Sequence, residues 1–371
     1  MTAIETLEAI TGFVLVIAVF YDVFQSVVLP RPAINKFILV RFLFRATWVM
    51  WRWLGMRMSP LARRERWLAA FGPVGVLMMF TIWALGFGLG YALMVDGVRD
   101  QLRPPPDSLG TSIYFSATTL VPLSYGDLVP IGPVARIVTI AESATGVFIA
   151  ALAITLLFSL YESFQEREEL VVSLDAIGGA PPSGLQILET AGERGMHGEL
   201  MKMFDDWREW AAAVLESHLA YPILVYFRSS HDNEAWLNSF WAVMDAATLV
   251  ISTVDDDAEG PARLMFTVGN HLVEDLSWYF RLKASEDPLL TRGEFDQASE
   301  RLTNAGHKCR SKGAAWPEFS SMRASYAMQL RQMTERLALT PALWIGDRSY
   351  VPHERAKATR QRGRSKAPVR P

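Results

Sequence analysis

Long apolar runs alternate with charged segments in the first 165 residues of the chain. The run from Ala9 to Leu29 contains one charge, and the run from Trp67 to Val95 contains none. A third run, from about Val134 to Tyr161, carries two charges. About 20 apolar residues suffice for a helix to cross a bilayer. The pattern therefore predicts three transmembrane helices.

A shorter apolar segment, Tyr114 to Pro130, lies between the second and third runs and reads YFSATTLVPLSYGDLVP. It is too short to cross a bilayer, and a Tyr-Gly-Asp turn interrupts it, so we expect a re-entrant element that returns to its own side. Asp107 and Ser108 precede it and are suited to cap a short helix. Because non-helical backbone survives at membrane depth only next to protein or water, this element predicts a pore.

Basic residues between the first two runs predict the topology. The segment from Arg31 to Arg66 holds nine basic residues and one acid, Glu65. The positive-inside rule places it in the cytoplasm, with the amino terminus outside, the carboxyl terminus inside and the plasma membrane as the location. Within it, Phe37 to Met58 mixes aromatic residues with arginines, which suits a helix lying among inner-leaflet lipids. The alternative is an arginine-bearing spanning helix of the kind that senses voltage.

The remainder of the chain favours helices. Apolar residues recur at spacings of three and four from Leu200 to Val214 and again from Glu234 to Val254. Further candidates are 261–283, 293–312 and 316–339, and alternation of period two is rare. We therefore predict an all-α membrane protein with four parts: an amino-terminal helix and basic interfacial helix (1–66), a pore domain (67–165), an all-α cytoplasmic domain of about five helices (166–346) and a basic tail (347–371).

The composition of the chain excludes two kinds of cysteine-based site and suggests a partner for the tail. The single cysteine, Cys309, excludes an intrachain disulfide framework and a cysteine-rich zinc site. The tail from Arg348 to Pro371 holds eight basic residues and one acid. We expect it to be disordered and held by anionic membrane lipids, which are a simpler partner than nucleic acid for a tail next to a membrane.

Two groups of side chains could hold a metal. They are a set of histidines with a glutamate and a run of acids, namely His218, His231, His271 and Glu274, and Asp255, Asp256, Asp257 and Glu259. Neither group has a recognised ligand spacing, so core histidines and a solvated acidic loop are the favoured interpretations. No nucleophile with a base and no phosphate-binding loop stands out. We expect no metal, no cofactor and no enzymatic activity.

The loop itself resembles that of a known family. Thr119-Leu120 and Tyr125-Gly126-Asp127 match the ends of the sequence TLTTVGYGD, the filter of tetrameric potassium channels, without a gap. The middle differs, since Val121-Pro122-Leu123-Ser124 stands where that family has Thr-Thr-Val-Gly. The resemblance covers roughly residues 72–161, and its specific part is the loop.

The resemblance implies a function and a set of functional residues. The filter residues would be Pro122, Leu123, Ser124, Tyr125, Gly126 and Asp127. Carbonyl groups from four such loops replace the hydration shell of the ion, so a homotetramer conducting potassium or other monovalent cations is implied. Pore support and gating fall to Thr119, Glu142 and Gly146. Glu142 either supports the filter or lies near the outer water, and Gly146 either acts as a hinge or packs against a neighbouring helix.

The changed middle of the loop bears on selectivity. Ser124 lacks the freedom of glycine to adopt a positive φ. Pro122 replaces the threonine whose hydroxyl, in the family, helps to form the innermost ion site, so a pore that also passes sodium is an alternative. Two further alternatives remain: a non-conducting membrane-anchored sensor or scaffold, and a non-channel membrane protein with an ordinary periplasmic loop.

Overall fold

The chain folds as helices throughout its described part. The computed structural model describes residues 2–28, 39–179, 181–229, 235–255, 257–340 and 344. The helices are α1 (Ala3–Val23), α2 (Leu39–Gly55), α3 (Leu61–Ala69), α4 (Phe71–Gly97), α5 (Leu109–Leu120), α6 (Pro133–Gly178), α7 (Gly184–Arg194), α8 (His197–Ala220), α9 (Trp236–Ser252), α10 (Glu259–Phe280), α11 (Arg292–Asn304), α12 (Lys312–Ala324) and α13 (Ala327–Arg336). The predicted all-α fold is confirmed.

Short turns and two short strands connect some of these helices. A π-helical turn, Phe24–Val28, continues α1, and 3-10 turns occupy Arg99–Gln101 and Pro222–Tyr226. The two short strands are β1 (Leu102–Arg103) and β2 (Val129–Pro130), which pair antiparallel. By its contacts the chain divides into two compact units: unit 1 comprises residues 1–162 and 218–227, and unit 2 comprises residues 163–217 and 228–371.

Three helical stretches of the described residues are long and apolar enough to cross a membrane, as predicted. They are Ala3–Val27, Leu61–Gly97 and Pro133–Gly178. The first begins earlier than its apolar run because a capping box between Thr2 and Glu5 starts α1. Pro73 lies in the first turn of α4, where no amide hydrogen is required, and so it does not interrupt the helix.

Glycines allow α1 and α4 to pack closely in unit 1. A Cβ atom at Gly12 would lie 2.8 Å from the backbone nitrogen of Met94, and one at Gly90 would lie 2.7 Å from the Val16 side chain. Small residues at such positions let membrane helices approach each other. The Trp83 indole also donates a 2.8 Å hydrogen bond to the buried Asp22 carboxylate, joining α4 to α1.

The predicted interfacial helix, Phe37 to Met58, corresponds to α2 and is followed by a turn and α3. The turn begins after Gly55, and Pro60 precedes the first residue of α3. The indoles of Trp51 and Trp67 stack at 4.2 Å, and each donates to the other's backbone carbonyl. This pair joins α2 to α3. Residues 29–38, including Arg31 and Lys36 of the basic segment, lie outside the described residues.

Unit 2 contains the end of α6 from residue 163, α7, α8 as far as residue 217, and α9 to α13, with α9 buried along nearly its whole length. About five helices were predicted from residue 200 onwards, and the structure differs in three respects. Helix α7 was not anticipated. The last predicted helix is divided between α12 and α13 at Tyr326, whose backbone angles (φ −131°, ψ −26°) are not those of an α-helix. The predicted helix 293–312 ends at Asn304 because Gly306 turns the chain with a φ of +98°.

A buried charged network lies at the centre of unit 2. The Arg323 guanidinium contacts both carboxylate oxygens of Asp245, at 3.0 and 3.3 Å, and the Tyr326 hydroxyl donates to the same carboxylate at 2.7 Å. Burial raises the pKa of the Tyr326 hydroxyl well above its usual value, and the Asp245 charge raises it further. The phenol therefore stays protonated and serves as a donor. The basic tail, 348–371, lies outside the described residues.

Candidate functional site

The candidate site is built on α5 and on the return loop, residues 121–128. The side chain of Ser108 accepts a hydrogen bond from the Thr111 amide at 3.3 Å, which confirms the predicted cap of α5. The hydroxyls of Thr111 and Ser108 hold the pKa of the exposed Asp107 below its usual value. A negative charge therefore persists at the amino-terminal end of α5, where the helix dipole favours it.

The chain enters and leaves this region on the same side. Leu102 pairs with Pro130 and Arg103 pairs with Val129 across the two strands. The Gln101 side chain accepts hydrogen bonds from the first amides of α6, at 3.1 and 3.2 Å. Because these contacts join the segment before α5 to the segment after the return loop, α5 and the loop form a re-entrant element.

The backbone of the return loop is held by the end of α5. The amides of Leu123 and Ser124 both donate to the carbonyl of Thr118, at 2.8 and 3.4 Å. In a trans peptide the N–H and C=O groups point in opposite directions. The carbonyls of Pro122 and Leu123, which belong to those same two peptide groups, therefore point away from α5 and towards the open side of the loop.

Backbone angles in the loop alternate in sign. Pro122, Ser124 and Gly126 have positive φ angles of 20°, 47° and 80°, whereas Leu123 and Tyr125 do not. Such alternation turns successive peptide groups the same way, so that their carbonyl groups point to one side of the loop. A positive φ costs an ordinary L-residue roughly 1–2 kcal/mol, so Ser124 is strained where Gly126 is not.

The carboxyl-terminal end of the loop is bound to α5 by side chains. The Tyr114 hydroxyl donates to the Asp127 carboxylate, whose Oδ1 also accepts the Leu128 amide at 3.2 Å. The large side chains of Leu123 and Tyr125 project from the loop and are more than half exposed in the single chain. The side chains that hold the loop therefore lie on one side of it, and its other side is open.

Glu142 lies behind α5 and not at the loop itself. Its side chain is fully buried, and its Oε1 accepts a hydrogen bond from the Ser116 hydroxyl. Its Oε2 has no hydrogen-bond partner among the described residues. Thr119, one turn further along α5, is also buried. The position of Glu142 between α5 and α6 agrees with a supporting role better than with a place near the outer water.

Gly146 lies where α6 passes the end of α5. A Cβ atom at this position would lie 2.8 Å from the carbonyl carbon of Leu120 and would overlap its oxygen. Helix α6 runs without interruption through this residue. The contact favours the packing interpretation of Gly146 over the hinge.

Several residues of this site were not singled out from the sequence. Ser112 and Ser116 are fully buried on one face of α5, and Ser112 donates to the Asp96 carboxylate at 2.7 Å. Tyr114 contacts the loop through Asp127. Ser112 and Ser116 are four residues apart in a predicted membrane-embedded helix. This spacing is the signal that could have revealed them, since helix positions i and i+4 share a face.

The two candidate metal groups are not assembled in the part of the chain that the structure describes, where no three His, Cys, Asp or Glu side chains are arranged to hold a metal ion. His218 is buried in unit 1, and His271 is exposed in unit 2. Glu259 instead forms ion pairs with Arg263 and Arg310. Two further members of these groups, His231 and Asp256, lie outside the described residues.

Comparison with known proteins identifies the region around this site. Residues 77–163 match the model of the family described as Ion channel. The chain is 24% identical over 204 residues to a protein of Bacillus subtilis (strain 168) named Uncharacterized membrane protein YdjJ. That alignment covers 54% of this chain and 58% of the relative, so the chain spans less than two thirds of the relative's length. No solved structure matches the chain.

Proposed function

We propose that this chain is one subunit of a homotetrameric cation channel of the plasma membrane, with the return loop as its selectivity filter. The resemblance of residues 77–163 to ion channels supplies the class of function. The observation that carries the proposal is the direction of the loop carbonyls. Those of Pro122 and Leu123 point away from α5, because the amides of the same peptide groups donate to Thr118.

Four copies are needed to make a filter from such a loop. One chain offers carbonyls from one side only, whereas a dehydrated cation requires oxygens all around it. In the single chain the apolar side chains of the loop and of much of α6 are uncovered, among them Ile137, Ile140 and Phe148. Neighbouring subunits and lipid would cover these faces, and the ion would pass along the common axis.

The changed residues of the loop limit the number of ion sites. Pro122 offers no hydroxyl, so the innermost site of the family is absent or altered. The carbonyls of Leu123, Ser124, Tyr125 and Gly126 remain as ligands. We propose potassium as the preferred ion. We expect weaker discrimination against sodium than in a filter with all sites intact, because the dehydrated ion passes through fewer sites in succession.

The remaining parts take supporting roles in this proposal. The basic residues around α2 support a topology with the amino terminus outside and unit 2 in the cytoplasm. The apolar face of α2 that carries Phe42, Val49 and Trp53 is exposed, and Arg45 lies beside it, as expected for a helix among lipid headgroups. Unit 2 would regulate opening, and Glu142 and Gly146 would hold α5 in place.

Ion flux into liposomes that contain the purified full-length chain tests the proposal. We expect potassium flux above that of empty liposomes and a loss of flux in Tyr125→Ala, with Tyr161→Ala as the matched control, since Tyr161 is an exposed tyrosine of α6 far from the loop in sequence. Equal flux of potassium and sodium would indicate a non-selective pore. Absence of flux from a folded tetramer at all stimuli tested would favour the sensor or scaffold.

A further inference from the structure

We propose that Ser116 is a positioning residue that clamps α5 between α4 and α6 and thereby sets the ion discrimination of the loop. The inference rests on the proposed function and deepens it, because it concerns how the filter is held and not what the filter is. Ser116 is fully buried, and one hydroxyl group contacts two other helices.

The contacts of this hydroxyl are specific. The Ser116 Oγ lies 2.8 Å from the carbonyl oxygen of Gly88 on α4 and also contacts the carboxyl group of Glu142 on α6. Its single hydrogen is shared between these two acceptors. Helices α4 and α6 are in turn joined at the same depth, since the Tyr91 hydroxyl lies 2.8 Å from the Thr145 hydroxyl. In a lipid-embedded bundle without water such bonds have few competitors.

Ser116 is the middle member of three fixed points along α5. One turn towards the outer end, Ser112 donates to Asp96, which the Arg99 guanidinium also holds at 2.5 Å. One turn towards the inner end, the Leu120 carbonyl lies against Gly146. The outer contact fixes where α5 begins and the inner contact fixes where it ends. The middle contact fixes its rotation, because it reaches both neighbouring helices from a single side chain.

Rotation of α5 matters because two anchors of the loop lie on this helix. The Thr118 carbonyl that holds two loop amides lies two residues after Ser116, and Tyr114, which holds Asp127, lies two residues before it. A rotation of α5 about its axis therefore moves both anchors together. The carbonyls that face the ion then turn away from the axis, and discrimination between ions of different size falls.

The test compares Ser116→Ala with wild type and with Thr81→Ala in the full-length chain. Ser116→Ala removes one oxygen atom and leaves the helix intact. Thr81→Ala removes a hydroxyl that bonds only to the Leu77 carbonyl of its own helix, at 2.8 Å, and is the matched control. We measure the ratio of potassium to sodium flux in liposomes and the hydrogen exchange of amides 118–128.

In Ser116→Ala we expect the flux ratio to fall about threefold to tenfold and loop exchange to rise by a similar factor. The tetramer should persist with a thermal midpoint lowered by several degrees, because the buried Glu142 carboxyl group loses its hydrogen-bond partner. Glu142→Ala should have a similar effect, and the double variant should add little to either single one, because the two residues share one bond. The control should behave as wild type.

An unchanged flux ratio together with unchanged loop exchange in Ser116→Ala would overturn the proposal. If the wild-type protein passes no ions, the proposed channel function fails, and hydrogen exchange alone then decides whether Ser116 holds the loop. A fall in thermal midpoint with an unchanged flux ratio would show a role in stability only and would also overturn it.

Discussion

The contact between α6 and the end of α5 predicts that Gly146→Ala destabilises unit 1. The new Cβ would lie 2.8 Å from the carbonyl carbon of Leu120. Non-bonded carbon atoms normally approach to about 3.5–4.0 Å, so the Leu120 backbone would have to retreat by about 1 Å. That backbone is the last turn of α5 and cannot swing away as a flexible side chain can. Overpacking of this kind costs about 1–3 kcal/mol, and we expect the upper half of that range.

Gly88→Ala is the matched control for this prediction. A Cβ atom at Gly88 meets nothing within 4 Å, although Gly88 also lies in a membrane-spanning helix. Alanine is favoured over glycine in a helix by about 1 kcal/mol, so this variant should be as stable as wild type or more stable. Both variants thus add the same methyl group, and only its surroundings differ.

Thermal unfolding of the two purified variants in detergent provides the measurement. A domain of this size loses about 2–4 °C in midpoint for each kcal/mol, so Gly146→Ala should unfold at least about 4 °C below Gly88→Ala. Because α5 would be displaced, the ratio of potassium to sodium flux should fall as well. Equal thermal midpoints for the two variants would refute the packing argument, and an altered opening rate at unchanged stability would support the hinge.

Three further predictions concern other parts of the chain. Ser124→Gly removes the strain of a positive φ and should stabilise the protein by about 1–2 kcal/mol per chain, measured by thermal unfolding. The same variant should increase the ratio of potassium to sodium flux. A loss of stability would contradict the strain at Ser124. Arg323→Met leaves the buried Asp245 carboxylate without its ion-pair partner and should lower the free energy of unfolding of unit 2 in urea by about 3–5 kcal/mol. Arg263→Met breaks the half-exposed pair with Glu259 and should cost less than about 1 kcal/mol. Similar losses for both variants would show that burial adds nothing to the pair. Thr291→Ala removes a capping box and should cost about 1 kcal/mol. The backbone amide of Thr291 and, to a smaller extent, its hydroxyl lower the pKa of Glu294 by hydrogen bonding, and the variant loses only the hydroxyl bond. The stability that this hydroxyl bond adds is present above the usual glutamate pKa and is lost as pH falls through the lowered value, so the difference between the two proteins should shrink in acid; a difference that grows in acid would exclude the cap as its cause.

The sequence alone predicted the elements of the membrane part. The lengths of three apolar runs predicted three spanning helices, and a run too short to span predicted the re-entrant element between the second and third. Cap residues predicted where α5 begins. The motif around Tyr125-Gly126-Asp127 predicted the family resemblance that the comparison confirmed. These features follow from local composition and spacing, which the chain carries without reference to its fold.

Sequence patterns were less informative about unit 2. They predicted helices, and the unit is helical, but the number and ends of the helices differ. Helix α7 is short and was missed, and Tyr326 divides a pattern that looked continuous. The Asp245–Arg323 pair gave no signal, because 78 residues separate its members and a buried ion pair looks like any two surface charges in a sequence.

The tertiary structure decided which side chains meet behind the loop. Ser116 and Glu142 are 26 residues apart, and their contact depends on how α5 and α6 are rotated and shifted against each other. The same geometry places Gly146 against Leu120 and aims two loop amides at Thr118. Spacing within one helix tells which residues share a face but not what that face touches. The sequence by itself therefore determined that a pore-like element exists, and only helix packing determined how it is held.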